Sequence, residues 1–300
     1  MKLIAGTRGS RLALRQTELV AELLRRRFQV EVELRIIKTT GDKLRDAPLA
    51  RIGGKGLFVK EIDEAVLRGD VDFAVHSMKD VPTELPGGLV IAAVPPREDV
   101  RDALISRSGA ALEELPDGAV VGTSSVRRQA LLRHFCPHLR VKELRGNVDT
   151  RLRKLEAGEY DAVVMALAGM RRLGFEEHVT QVLPPERFTP SVGQGAIAVV
   201  ARAGSRAERM LQAINHEPSS ASATAERAML RALGGGCQVP VGTYCRAEGR
   251  RLRLLGVVLS PDGSRRIAAE VGGTACEPEA LGKRAAAELM ERGAEQLMRG

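Results

Sequence analysis

Lys2-Leu3-Ile4-Ala5-Gly6-Thr7-Arg8-Gly9-Ser10-Arg11-Leu12 carries the chain from a strand into a helix through one glycine-bounded turn. The apolar run from Leu3 to Ala5 has strand character, and Ser10 is a residue type whose hydroxyl caps helix N-termini. Leu12, Ala13, Leu19, Val20, Leu23 and Leu24 then recur on one stripe of helical period. An echo follows further along: Ala119-Val120-Val121 leads into Gly122-Thr123-Ser124-Ser125-Val126-Arg127 and another helix. Each turn sets hydroxyls, backbone N–H groups and an arginine at the positive end of a helix, where an anion is favoured. Helix capping alone also explains either turn taken singly.

Working outward from the first turn, Val30, Val32, Leu34 and Ile36 alternate as in a strand, a helix is expected over 59–67, and strands over 73–75 and 89–94. This alternation is that of an α/β domain with a mainly parallel sheet. Pro95-Pro96-Arg97-Glu98-Asp99 interrupts it, and a second series begins: strand 119–121, a helix after Ser125, strand 140–144, helix 148–156 and strand 162–166. Pro184-Pro185 and Pro190 precede another apolar strand over 196–201, so the chain leaves the first lobe and returns to it. After Pro218 come a helix over 222–233, a glycine run, a strand pair over 252–259 and 266–271 around Pro261-Asp262-Gly263, and a closing helix with Leu281, Ala285 and Leu289 at four-residue spacing. The expected division is 1–95 with 196–214 as a discontinuous first α/β lobe, 96–195 as a second α/β lobe, and 215–300 as a small α+β domain.

A chain of 300 residues with 44% hydrophobic content has room for several cores. No apolar run approaches the ~20 residues of a membrane helix, and no signal-peptide core follows Met1, so a cytoplasmic protein without a membrane partner is expected. Cys136, Cys237, Cys245 and Cys276 form no C-x-x-C pair and sit beside no metal-type histidine spacing, so no metal is expected. The net charge of +8 calls for an anionic partner. Nucleic acid is disfavoured by the absence of Trp, with only two Tyr and six Phe for stacking. A small polycarboxylate or phosphate fits the dispersed basic residues better.

Several segments carry chemistry. Ile52-Gly53-Gly54-Lys55-Gly56-Leu57-Phe58 lacks the Ser/Thr and the glycine spacing of a nucleotide-phosphate loop; 41–56 reads as a lid over a cleft or as a surface loop. Ala74-Val75-His76-Ser77-Met78-Lys79-Asp80-Val81-Pro82 begins as a buried strand and ends in adjacent opposite charges before an X-Pro brake. Strand ends in such sheets are where ligands bind, and Asp80 could hold a developing positive charge; a local Lys-Asp surface pair is the alternative. Arg127, Arg128, Arg145, Arg151 and Arg172 lie at helix starts or in loops, and their guanidinium forks suit a ligand with several carboxylates. Leu233-Gly234-Gly235-Gly236-Cys237-Gln238-Val239-Pro240 places a thiol on a glycine-rich turn with no partner histidine, a setting for a covalent anchor or for an inert structural cysteine.

Together these segments resemble the porphobilinogen deaminase (hydroxymethylbilane synthase) family, in order along nearly the whole chain: Thr7-Arg8-Gly9-Ser10, Gly53 to Glu61, His76 to Pro82, Gly122 to Gln129, Leu144 to Arg151, Gly158 to Ala162, Val192-Gly193-Gln194-Gly195-Ala196, and Gly235 to Pro240. The resemblance implies two periplasmic-binding-protein-like α/β lobes plus the small C-terminal domain. It also implies a dipyrromethane cofactor held as a thioether on Cys237, and head-to-tail condensation of four porphobilinogens with loss of ammonia before hydrolysis releases hydroxymethylbilane. Asp80 resembles the catalytic carboxylate; Ser77, Lys79, Thr123, Ser125, Arg127, Arg128 and Arg151 resemble cofactor ligands; Arg8, Ser10, Arg145 and Arg172 resemble binders of substrate carboxylates; Lys55 and Phe58 belong near the lid. Arg51 stands where the family also uses lysine. A monomer is expected. The competing reading, a bilobed binder of an anionic small molecule, leaves Cys237 and the third domain unexplained.

Overall fold

A computed structural model describes residues 1–43, Gly56, 58–234 and 239–298. The chain forms two units, Met1–Glu98 with Gly195–Ser220, and Asp99–Gln194 with Ala221–Gly300. In the first unit, strands β1 (Lys2–Thr7), β2 (Glu31–Ile36), β3 (Phe73–Ser77), β4 (Leu89–Ala93) and β10 (Ile197–Arg202) form one sheet in the order β2-β1-β3-β10-β4. β1 is parallel to β2 and β3, whereas β10 is antiparallel to both of its neighbours. Four of the five strands, β2, β1, β3 and β4, therefore run in one direction, the mainly parallel sheet expected, and β10 alone is reversed. β10 returns from the excursion through the second unit, so no crossover helix dictates its direction.

Period-two alternation decides which core each side chain enters. Phe73, Val75, Val199 and Ala201 pack with Val20, Leu24 and Leu211 on one face, while Ala74 and Val200 pack with Ile62 and Val66 on the other. Each fully buried Val, Leu, Ile or Phe of this set contributes about 1.5–3 kcal/mol. The helix Arg11–Phe28 is capped by the Ser10 hydroxyl, which accepts from the Ala13 N–H at 3.3 Å. Its buried stripe is Gln16, Thr17, Val20, Ala21 and Leu24; Leu12, Ala13, Leu19 and Leu23, expected on the stripe, are only partly buried. The first turn overhangs a pocket lined by Leu12 and Ala13 instead of lying on the sheet.

The second unit repeats this plan. Strands β5 (Asp102–Ser106), β6 (Val120–Gly122), β7 (Arg140–Lys142), β8 (Ala162–Ala166) and β9 (Gln181–Val182) take the order β7-β6-β8-β5-β9. β6 is parallel to β7 and β8, and β5 is antiparallel to β8 and β9. The two echoing turns thus follow corresponding strands, β1 and β6. Neither β5 nor β9 was expected from the sequence.

The same unit holds an antiparallel three-stranded sheet, β11 (Val241–Glu248), β12 (Arg251–Leu259) and β13 (Arg266–Thr274). β11 was not expected either. Leu252, Leu254 and Val258 turn toward Met229, Leu281, Ala285 and Leu289 of the helices Glu217–Ala232 and Pro278–Glu291, so the closing helix buries its four-residue repeat. Val257 and Leu259, on the opposite face, enter the core built by Leu104, Val121, Leu131 and Val164. The C-terminal sheet is therefore fastened to the second α/β lobe through the helix Val126–Phe135.

The tip of the β12–β13 hairpin completes that fastening. Arg133 donates to the Pro261 carbonyl at 2.6 Å, and His134 Nδ1 donates to the Gly263 carbonyl at 2.8 Å. Gly263 has φ 76°, and a Cβ there would lie 2.8 Å from the Ala130 carbonyl oxygen and 2.9 Å from the His134 nitrogen. Gly263→Val strains the backbone and wedges the hairpin off the helix, so a loss of about 2–3 kcal/mol is expected in urea unfolding.

Candidate active site

In the first unit, β3 ends in a 3₁₀ turn, Met78–Asp80. The Met78 N–H donates to the Ala196 carbonyl, the Val81 N–H returns to the Met78 carbonyl, and Met78 itself is 2% exposed. Pinned by Met78 and limited by Pro82, the turn holds Lys79 and Asp80 at the surface. No ion pair to Asp80 forms among the described residues.

Arg8, Ser10, Phe58, Ser77, Lys79 and Asp80 line one pocket of about 90 Å³. The Arg8 guanidinium lies 4.2 Å from the Phe58 ring centroid, an arrangement that orients the cation. Two supports beneath them were not singled out in the sequence. Gln16, buried in the helix stripe, bonds the Ser77 hydroxyl at 2.9 Å. His76 Nε2 meets Asp63 Oδ1 at 2.9 Å with both side chains 2% exposed. A glutamine at that helical position reads as a solvent-side residue, and nothing in the spacing links Asp63 to His76.

In the second unit, Thr123, Ser125, Arg127 and Arg128 gather at the start of the helix Val126–Phe135. The Ser125 hydroxyl accepts from the Arg128 N–H at 3.4 Å, and the fully buried Thr123 accepts from the Ser125 N–H at 3.3 Å. Both guanidinium groups are buried against Asp102. Arg127 Nη2 lies 2.8 Å from Oδ2, and Arg128 Nη2 donates to Oδ1 at 2.8 Å. Gln194 Nε2 donates to Oδ1 at 2.8 Å. Burial pushes the Asp102 carboxyl up, but the two guanidinium groups and the hydrogen bonds from Arg128 and Gln194 outweigh it and hold the group well below the usual carboxylate range. Burial lowers Arg127, with Asp102 pulling it back.

The loop Leu144-Arg145-Gly146-Asn147 sets the remaining cations. Gly146 has φ 116°, and a Cβ there would lie 2.7 Å from Thr150, so this turn requires glycine. Asn147 caps the helix Val148–Glu156 by accepting from the Thr150 N–H at 2.9 Å. Arg151 Nε donates to the Gly146 carbonyl at 2.8 Å. Burial, followed by the nearby charge of Arg128, pulls the Arg151 guanidinium down to about 10. Arg145 pairs with Glu143 at 2.7 Å. Arg172 lies on the last turn of the helix Leu167–Leu173.

Cys237, Lys55 and Arg51, and the 44–55 part of the expected lid, lie outside the described residues. Cys136, Cys245 and Cys276 are free thiols, the first two buried. Among the described residues no cluster of His, Cys, Asp or Glu could hold a metal, and no helix is long and apolar enough to cross a membrane. The cation set fits a dipyrromethane bearing carboxylates. Arg127 Nε is buried with no hydrogen-bond partner, and Arg151 sits near Arg128, where an added anion relieves like-charge repulsion.

Residues 3–210 match the family described as porphobilinogen deaminase, dipyromethane cofactor binding domain, and 221–291 match its C-terminal domain. The chain is 52% identical to the porphobilinogen deaminase of Rubrobacter xylanophilus over 295 residues, covering 98% of this chain and 95% of that one. It is 50% identical to that of Desulforudis audaxviator over 299 residues, covering 99% and 97%. Among solved structures, the methionine binding protein MetQ aligns with TM-score 0.45 and 14% identity, covering 75% of this chain and 94% of that one.

The depressed pKa of Asp102 fixes the sign of a pH effect. A carboxyl lowered by folding stabilises the protein fully above its unfolded value of about 3.9, and the contribution is lost as pH falls through the lower native value. The stability gap between wild type and Asp102→Asn, about 3–5 kcal/mol, should stay constant from about pH 8 to 5 and shrink below about pH 4. Urea unfolding across that range measures it.

Proposed function

The chain belongs to the porphobilinogen deaminase family, transferases of tetrapyrrole biosynthesis that use a dipyrromethane cofactor, and on that premise we propose which of its residues perform the condensation. Porphobilinogen is the substrate. Asp80 is the catalytic carboxylate, and Cys237 carries the cofactor as a thioether. Ser77, Lys79, Thr123, Ser125, Arg127, Arg128 and Arg151 hold the cofactor. Arg8, Ser10, Arg145 and Arg172 take the substrate's acetate and propionate groups, with Lys55 and Phe58 nearby. Residues 215–300 form the cofactor-anchoring domain, 1–95 with 196–214 the first lobe and 96–195 the second. The protein works as a monomer in the cytoplasm, where its cysteines stay reduced, and binds neither nucleic acid nor membrane.

The observation that carries this reading is the setting of Asp80: exposed, on a turn pinned at Met78, and sharing a pocket with Arg8 and Ser10. Once bound, the dipyrromethane supplies a nucleophilic pyrrole α-carbon. Loss of ammonia from porphobilinogen leaves a cation delocalised over the substrate ring, and a fixed carboxylate near the ring nitrogen lowers its energy. The same carboxylate relays protons between departing amine, ring and solvent. Arg8, oriented by Phe58, holds a substrate carboxylate so that the reacting carbon faces Asp80.

Asp80→Asn keeps the shape and removes the charge. It should purify with the extra mass of two pyrrole units while kcat falls by about a hundredfold or more, the effect of losing one preorganised contact or several. Asp80→Glu should keep part of the activity. Near-normal kcat in a cofactor-loaded Asp80→Asn protein would return Asp80 to a surface role. Cys237→Ala should give folded protein at its bare sequence mass; an adduct retained there overturns the attachment site.

A further inference from the structure

Asp102 is fully buried and faces two arginines, Arg127 and Arg128, which are themselves 3% and 5% exposed. A buried ion pair kept only for stability is best balanced one to one, because leftover charge in a low-dielectric interior is costly. Here one carboxylate serves two guanidinium groups. Another fully buried acid of the unit, Glu226, accepts from the Gly193 and Cys245 N–H groups at 2.8 and 3.0 Å.

The donor arrangement shows what is held and what is left over. Arg128 spends Nε and Nη2 on Asp102 Oδ1 at 3.2 and 2.8 Å and Nη1 on the Val164 carbonyl at 3.0 Å. Arg127 spends Nη1 on the Thr189 carbonyl at 2.7 Å, sets Nη2 beside Oδ2, and leaves its buried Nε without an acceptor. Gln194 ties Asp102 down, its Nε2 bridging Oδ1 and the Val100 carbonyl at 2.8 and 2.7 Å. Both arginines stand in the first turn of a helix whose N-terminal N–H groups also favour an anion.

We propose that Asp102 is a positioning residue for ligand carboxylates: it locks Arg127 and Arg128 in place and cancels one of their two charges, so that the pair offers a single positive charge to one carboxylate of the bound oligopyrrole. This role rests on the deaminase reading above. Asp102 acts through the arginines, and Gln194 acts both through Asp102 and on Arg128, whose Nη2 donates to Gln194 Oε1 at 3.4 Å.

The test uses the full chain, purified as it assembles, with Asp102→Asn and Gln194→Met compared with wild type by intact mass, urea unfolding and steady-state kinetics on porphobilinogen. In Asp102→Asn the cofactor-loaded fraction should fall, and in the loaded fraction KM should rise about tenfold with a smaller change in kcat, the scale of one charge-assisted hydrogen bond. Gln194→Met, which leaves the ion pairs intact, should raise KM about threefold. If both variants load like wild type with unchanged KM, Asp102 is purely structural whatever stability is lost, and the proposal is overturned. Should Asp102→Asn not accumulate as folded protein, folded and loaded Gln194→Met decides: a raised KM supports the role, an unchanged KM overturns it. A wild-type protein lacking both the extra mass and porphobilinogen consumption would instead sink the deaminase reading itself.

Discussion

Asp102 sits at 0% exposure between two guanidinium groups, and much of the second unit is arranged around that burial. An ionised carboxylate removed from water must be matched by hydrogen bonds and opposite charge or it destabilises the fold by several kcal/mol. Strand β5 begins at Asp102, the helix Val126–Phe135 brings both arginines in its first turn, and Gln194 arrives from the segment that leaves the unit. Three distant stretches of sequence are thereby fixed to one another by one side chain. The same helix receives the β12–β13 hairpin at Arg133 and His134, so the arginine cluster and the seat of the C-terminal sheet share one rigid rod.

The first unit meets a different requirement. Its pocket is lined by an exposed carboxylate, Asp80, carried on a turn whose neighbours are buried. The solution is to bury the neighbours: Met78 anchors the turn, Gln16 holds Ser77, and the His76–Asp63 pair lies beneath. Asp80 remains in contact with solvent, while the backbone that carries it is held by the Met78 and Val81 hydrogen bonds. Charge exposed on a pinned turn and charge buried between two guanidinium groups are opposite arrangements, and the two units hold one each.

Much of this was legible in the residues. Ser10 and Ser125 announce their helices by type and position, and both cap as expected. The helix Val148–Glu156 and the strand Ala162–Ala166 fall where periodicity places them. Other elements were hidden for physical reasons. β5 opens with a charged residue and reads as a loop until tertiary partners bury Asp102. β11 ends in Arg246, Ala247 and Glu248, which dilute its alternation. The direction of β10 could not be read either, since strand polarity depends on which neighbours the chain meets after a long excursion. Arg127, Arg128 and Arg151 stand near helix starts and Arg145 in a loop, as expected, whereas Arg172 stands on the last turn of its helix. That two of them are buried against one carboxylate, while Arg145 pairs with Glu143, is a matter of three-dimensional neighbours that spacing does not encode.

The position of β10 also bears on how the protein is made. β3 and β4 are not neighbours; Ile197–Arg202 lies between them and pairs with both. A nascent chain emerging from the ribosome therefore exposes β1 to β4 long before the strand that joins them has been synthesised. Until it arrives, β3 and β4 present unpaired backbone edges of the kind that recruit foreign strands, and their closure is a slow, non-local event. The second α/β lobe has all of its strands before residue 183, so it completes its sheet first although it lies later in the sequence. The order of synthesis and the order in which the two sheets can be completed are thus inverted, and the N-terminal unit carries its open strand edges for longer.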